Sequence, residues 1–118
     1  MTPEEAIAFG QKHVAVWNRH DLDEIMDMYS DDVELTSPLA VQIAGVATLS
    51  GRPALRDYFS AGLEKYPELR FDLLDVLHGE ESVTLYFRSI GGRMVAEVLF
   101  VRDGLVQKVF AHYSASAA

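Results

Sequence analysis

Apolar residues recur every three or four positions in the first two thirds of the chain and every second position from Arg70 onward, so helices are expected first and strands last. Thr2-Pro3-Glu4-Glu5 supplies a capping hydroxyl, a proline at the first helical position and acids beside the positive end of the dipole. A helix is predicted from there to about Arg19. Phe9, His13 and Trp17 lie four apart within it, with Gly10 and Val14 alongside, which puts His13 on an inward stripe. "HDLDEIMDMYSDD" restarts a short helix capped by Asp21, with Leu22, Ile25, Met26 and Tyr29 on its buried side. Residues 33–37 alternate as a strand, and Pro38 ends it.

The connection that follows, "LAVQIAGVATLSG", is nearly all apolar inside, unlike a solvated loop. Leu39, Val41, Ile43, Val46 and Leu49 are therefore expected to be covered, as a lid over a cavity or as a subunit contact. "SGRPALRDYFSAGLEKYP" reads as a helix capped by Ser50, entered through Pro53 and stopped before Pro67. Its inner stripe is Leu55, Phe59, Gly62, Leu63 and Tyr66, bordered by Tyr58. "RFDLLDVLHG", "SVTLYFRSI", "RMVAEVLFVR" and "LVQKVFAHY" then read as four strands, separated by turns at 79–81, Gly91-Gly92 and Asp103-Gly104. Helices followed by a meander predict an α+β domain, a curved antiparallel sheet wrapped around helices with an internal pocket. One domain spans 1–113, and 114–118 is a small-residue tail expected to fray.

Alternation places Val83, Leu85, Phe87, Val98 and Phe100 on the inner sheet face. Leu99, Val101, Val106, Phe110 and Tyr86 then fall outside, more apolar surface than a monomer leaves exposed. A homodimer through the outer face is the expected consequence. His112 is expected to face outward with Lys108 and Phe110.

Composition narrows the classes further. The 118 residues carry ten basic and eighteen acidic side chains, a formal charge of −8, with the basic ones dispersed, so neither nucleic acid nor an anionic membrane surface is an expected partner. No apolar run reaches the roughly 20 residues that span a bilayer, and the acidic opening lacks a secretory pattern. A cytoplasmic location is expected. With no cysteine there is no disulfide, thiolate nucleophile or zinc-thiolate site. The four histidines have no ligand-like spacing, and no phosphate or dinucleotide fingerprint occurs, so neither metal nor cofactor is expected.

"NRHDLDEIMDMYSDDVELTSP", the helix "SGRPALRDYF" and the closing "VRDGLVQKVFAHY" resemble the SnoaL-like and steroid delta-isomerase-like members of the nuclear transport factor 2-like superfamily. The resemblance covers almost the whole chain. It implies a conical α+β barrel whose sheet curls around a pocket closed by helices, commonly as a dimer. It also implies a range of activities, among them isomerases, polyketide cyclases and dehydratases, alongside proteins with no known chemistry. In the steroid isomerases of this type an aspartate ending the first strand removes a proton alpha to a carbonyl, while a tyrosine and a protonated aspartic acid stabilise the enolate. Carried onto this chain, those positions fall on Ser37, His13 and Val98. None has the family's residue, so the steroid-isomerase carboxylates are absent from the expected places.

Two functional readings therefore stand side by side. In one, a small hydrophobic ligand occupies the pocket and His13, helped by Ser37 or Tyr113, moves a proton. In the other, the cavity binds without turnover or serves a dimerisation module, and His13 is a half-buried histidine with a structural partner. Trp17, Tyr29, Tyr58, Phe59, Phe87, Phe100 and Tyr113, together with Ser37 and Val98, are the expected lining, with about half of the aromatics reaching the cavity. Ser37 is either a ligand-orienting hydroxyl or a turn former before Pro38. Asp75 is either a semi-buried carboxylate or an acid at a sheet edge.

Overall fold

The structure, a computed structural model, describes residues 1–116. Thr2 caps α1 (Pro3–Asn18), accepting from the Glu5 backbone N–H while the Glu5 side chain accepts from the Thr2 N–H. The reciprocal pair satisfies two donors that the first helical turn leaves without partners. Asp21 caps α2 (Leu22–Met26) as expected, and β1 (Tyr29–Thr36) starts four residues earlier than its alternation suggested.

The connection contains a helix that the sequence pattern did not reveal. Ser37 caps α3 (Pro38–Ala44), its hydroxyl accepting from the Leu39 N–H at 3.1 Å, and β2 (Thr48–Ser50) follows. Only Ala40 and Leu49 are buried there; Val41 and Val46 are exposed, while Leu39 and Ile43 are half-covered. α4 (Arg52–Lys65) follows, entered through Pro53, with Gly51 rather than Ser50 at its cap position.

The rest is the expected meander: β3 (Asp72–His78), β4 (Ser82–Arg88), a short turn of 3-10 helix (Ile90–Gly92), β5 (Met94–Arg102) and β6 (Leu105–Tyr113). The sheet order is β2-β1-β6-β5-β4-β3, antiparallel except where β1 runs parallel to β6. Asp103 and Gly104, both at positive φ (54° and 77°), form the tight turn between β5 and β6. α1 lies close against the sheet because Gly10 has no side chain; a Cβ there would sit 2.8 Å from Val76 Cγ2 and 2.9 Å from Leu85 Cδ2.

Three ladder irregularities, between Leu73 and Asp75, between Phe100 and Val101, and between Tyr29 and Glu34, bend the sheet. They also correct the face assignments. On β5 the concave face carries Val95, Glu97 and Leu99, whereas Val98 and Phe100 point outward. Leu99 and Val106, expected outside, are completely buried in the core. Tyr86 and Phe110 do face outward, with the Phe100 and Phe110 rings 6.2 Å apart edge to face. Asp75 is exposed and accepts from the Val76 N–H, so its carboxylate is not semi-buried. His112 is exposed on the outer side. Of the expected tail, Ser114 is tied to the Met94 carbonyl, and residues 117–118 lie outside the described part. Among the described residues no helix is long and apolar enough to cross a membrane, and no cluster of metal-binding side chains occurs.

Candidate functional site

Between the concave sheet face and helices α1, α3 and α4 lies a cavity of about 120 Å³. Its base is aromatic. Trp17, at the end of the α1 stripe, packs edge-on against Phe59 of α4 with ring centres 4.6 Å apart, and donates its indole N–H to the Tyr29 hydroxyl at 3.2 Å. Phe59 also meets Tyr29 at 5.3 Å and Tyr58 at 5.8 Å. Asn18 pins the 66–71 segment by bonding both the N–H and the carbonyl of Phe71, which places Leu69 and Phe71 in the wall. Leu39 and Ile43 of α3 line one side, the part of the apolar connection that reaches the cavity.

Of the residues expected in the lining, Trp17, Tyr29, Ser37, Tyr58, Phe59 and Tyr113 are brought together here. Phe87 stands behind the wall in the core, its ring 4.5 Å from that of Phe71. Val98 and Phe100 are on the opposite sheet face. His13 does not reach the cavity either. Its ring lies 5.7 Å from Phe9 and 6.1 Å from Tyr29, it is 2% exposed, and neither ring nitrogen has a hydrogen-bond partner. Burial without a partner disfavours the charged imidazolium and lowers the His13 pKa to about 4, so the ring is neutral at pH 7.

The polar groups of the cavity are arranged in depth. Ser37 is 2% exposed and accepts the Leu39 N–H, and it shares the lining with the phenols of Tyr58 and Tyr113. The local reading of Ser37 takes the form of a helix cap, and the same residue is part of the cavity lining. Glu97, which the alternation assigned to the outside, projects from the middle of β5 into this group. Among the described residues its carboxyl makes no hydrogen bond and no ion pair. Desolvation raises its pKa to about 7. Burial first, and the neighbouring Glu97 charge in addition, raise the pKa values of Tyr29, Tyr58 and Tyr113, so all three phenols are protonated and able to donate. Apart from Glu97, the only charged lining residue among the described residues is Arg93, exposed and close in sequence to Ser89 and Ile90, which also line the cavity.

The sequence signal for Glu97 was visible but pointed the wrong way. A single acid in "MVAEVLFV" reads as an outward residue when alternation is the only guide. A polar side chain on an otherwise apolar inner face is the feature that distinguishes a chemical site from a core.

Comparison with known proteins agrees with this architecture. Residues 11–110 match the family described as SnoaL-like domain. A solved SnoaL-like protein of unknown function from Burkholderia thailandensis is 36% identical, covers 98% of this chain and 99% of its own, and superposes with a TM-score of 0.91. AclR from Streptomyces galilaeus, a candidate hydroxylase, is 22% identical over 96% of this chain and 91% of its own, with a TM-score of 0.76. A candidate ketosteroid isomerase from Kribbella flavida is 19% identical over 98% of this chain and 82% of its own, with a TM-score of 0.72. The latter two share the fold. No curated protein matches the chain.

Proposed function

The chain belongs to the SnoaL-like domain family, and on that premise we propose that it transfers a proton on a small ring-sized molecule held in the cavity, with Glu97 as the acid and base. The observation that carries this reading is an unpaired carboxyl inside an apolar cavity, with a pKa near 7, facing protonated phenols. A group titrating near neutrality is present in both forms and serves equally to take and return a proton. The cavity volume, about 120 Å³, is close to that of the roughly 150 Å³ site that accepts a benzene-sized guest. A single ring fits this space.

In this reading the Glu97 carboxylate removes a proton from a carbon alpha to a carbonyl. The C–H electron pair moves into the new C=C bond and the carbonyl π pair onto oxygen, where Tyr113 or Tyr58 donates a hydrogen bond to the developing negative charge. Glu97 then returns the proton to the alpha carbon, which exchanges or inverts that centre, or, where a β,γ double bond extends the enolate, to the gamma carbon, which shifts the double bond into conjugation; neither outcome needs a further reactant. The test is deuterium exchange into the alpha positions of cyclohexanone in D₂O, followed by NMR. Exchange accelerated by the protein and reduced about 100-fold in Glu97→Gln supports the reading. Background exchange in both would remove it.

Binding without turnover is the second reading. It draws on Ser37, which stands where the first strand ends, the position at which the steroid isomerases that the chain resembles carry their base, and whose hydroxyl is already used as a cap. Ligand binding together with background exchange is its signature.

We also propose that the protein is a homodimer through the outer sheet face. Support comes from Leu77, Tyr86 and Phe100, at 53%, 39% and 37% exposure, which form an apolar surface with Val98 and Phe110.

A further inference from the structure

Of the two charged residues lining the cavity among the described residues, Arg93 is exposed and Glu97 is half-buried. Arg93, Val95 and Glu97 alternate onto the concave side, and four residues of extended chain separate Arg93 from Glu97 by roughly 13 Å. They form no ion pair, and the arginine does not hold the Glu97 carboxylate in its ionised form: desolvation alone sets that group. Among the described residues Arg93 has no acidic partner, as is also true of Arg88 and Arg102, whereas Arg19, Arg52, Arg56 and Arg70 are paired; of the unpaired arginines, Arg93 is the one in the cavity lining.

Arg93 is nevertheless held in place. It follows the Ile90–Gly92 turn, where the Ser89 N–H donates to the Arg93 carbonyl at 2.7 Å, and its guanidinium stacks 4.7 Å from the centre of the Tyr113 ring. Tyr113 itself lines the cavity. This cation–π contact holds the guanidinium beside the lining, and among the described residues none of its side-chain N–H donors is engaged, so they are free to bind a carboxylate through two parallel hydrogen bonds. In a protein with a net charge of −8, an unpaired cation in the lining of an apolar cavity is a local exception.

From this arrangement we infer that the ligand is a single-ring compound carrying a carboxylate, with the carboxylate on Arg93 and the reacting ring carbon at Glu97. The inference rests on the cavity being the ligand site and adds the substrate class. Arg93 is the specificity-determining residue, and Tyr113 positions it from below while presenting its own hydroxyl inward. A neutral ring of the same size fits the same space without gaining the ion pair. An anionic ligand also meets less repulsion while Glu97 is protonated, so its affinity falls as pH rises past neutrality while that of a neutral analogue does not.

Benzoate and benzamide test this directly, because they share ring and shape and differ in charge. Their dissociation constants for the intact protein would be measured by ligand-observed NMR at pH 6 and pH 8, with Arg93→Gln and Arg93→Lys in parallel. The expected result is benzoate about tenfold tighter than benzamide at pH 6. That preference should be lost in Arg93→Gln, partly retained in Arg93→Lys and reduced at pH 8. Equal binding of the two probes, or a preference unchanged in Arg93→Gln, overturns the anionic substrate class while leaving the cavity as a ligand site. If neither probe binds, the cavity reading fails and this inference falls with it.

Discussion

Glu97 stands directly opposite Ala111 in the β5–β6 ladder, and both line the cavity. A methyl group opposite the glutamate leaves the carboxyl room to lie across the strand pair and towards the phenols of Tyr58 and Tyr113. A large residue at 111 would fill the space in which a ligand ring has to sit. Ala111→Leu is therefore expected to leave the fold intact and to weaken benzamide and benzoate binding alike, measured as a common rise in their dissociation constants.

The raised pKa of Glu97 makes a statement about stability. The carboxyl titrates near 4.5 when unfolded and near 7 when folded, so its contribution is fully present below pH 4.5 and is lost as pH rises to 7. Replacement by glutamine removes that loss. Glu97→Gln is expected to be more stable than the parent at pH 8, by on the order of 2 kcal/mol, and to show no advantage at pH 4. Urea unfolding at the two pH values measures the difference.

His13 acts in the opposite direction. Its pKa falls from 6.5 unfolded to about 4 folded, so the native state is favoured above pH 6.5 and loses stability as pH drops towards 4. Both nitrogens are also buried without partners. His13→Leu should stabilise the protein at pH 7 by about 1 kcal/mol, flatten the acid limb of its stability profile and leave ligand affinity unchanged. Thermal unfolding from pH 4 to 7, with benzamide titration at pH 7, reads both effects.

Gly10 is the point of closest approach between α1 and the sheet. Gly10→Ala would force its methyl against Val76 and Leu85, and the expected cost is about 1–3 kcal/mol, partly offset by a gain of roughly 0.5–1 kcal/mol in helix propensity. A net fall in the urea midpoint with an unchanged slope is the expected result.

The outer face carries its own test. Phe110→Asp places a charge beside Phe100 and opposite Val98. Light scattering at micromolar concentration is expected to give twice the chain mass for the parent and the chain mass for the variant.

Much of the fold was legible because its signals are local. The Thr2 box, the Asp21 cap and the prolines at 3 and 53 mark helix starts, and the glycine turns mark strand ends. Helix α3 escapes the pattern because Pro38 reads as the end of a strand, although Ser37-Pro38 offers the same cap and proline start as Thr2-Pro3 and Gly45 its stop; residues 38–44 are apolar almost throughout and give no polar face with a period of 3.6. The aromatic half of the cavity was readable from helix stripes, which keep their phase over several turns. The sheet half was not, since one extra residue at a bulge exchanges the two faces, and from Met94 to Val101 β5 is apolar on both sides apart from Glu97. His13 drew attention as a histidine on an inward stripe, yet burial among rings removes the solvent and partners that proton transfer needs.

The central claim is that Glu97 is a cavity carboxyl poised to gain and lose a proton at neutral pH. Carbon-13 NMR of protein labelled at the glutamate Cδ tests it most directly, with Glu97→Gln identifying the resonance. A titration midpoint near 7, displaced when benzoate binds, is the result predicted by the geometry. A midpoint near the ordinary glutamate value of about 4.3, insensitive to benzoate, would contradict it.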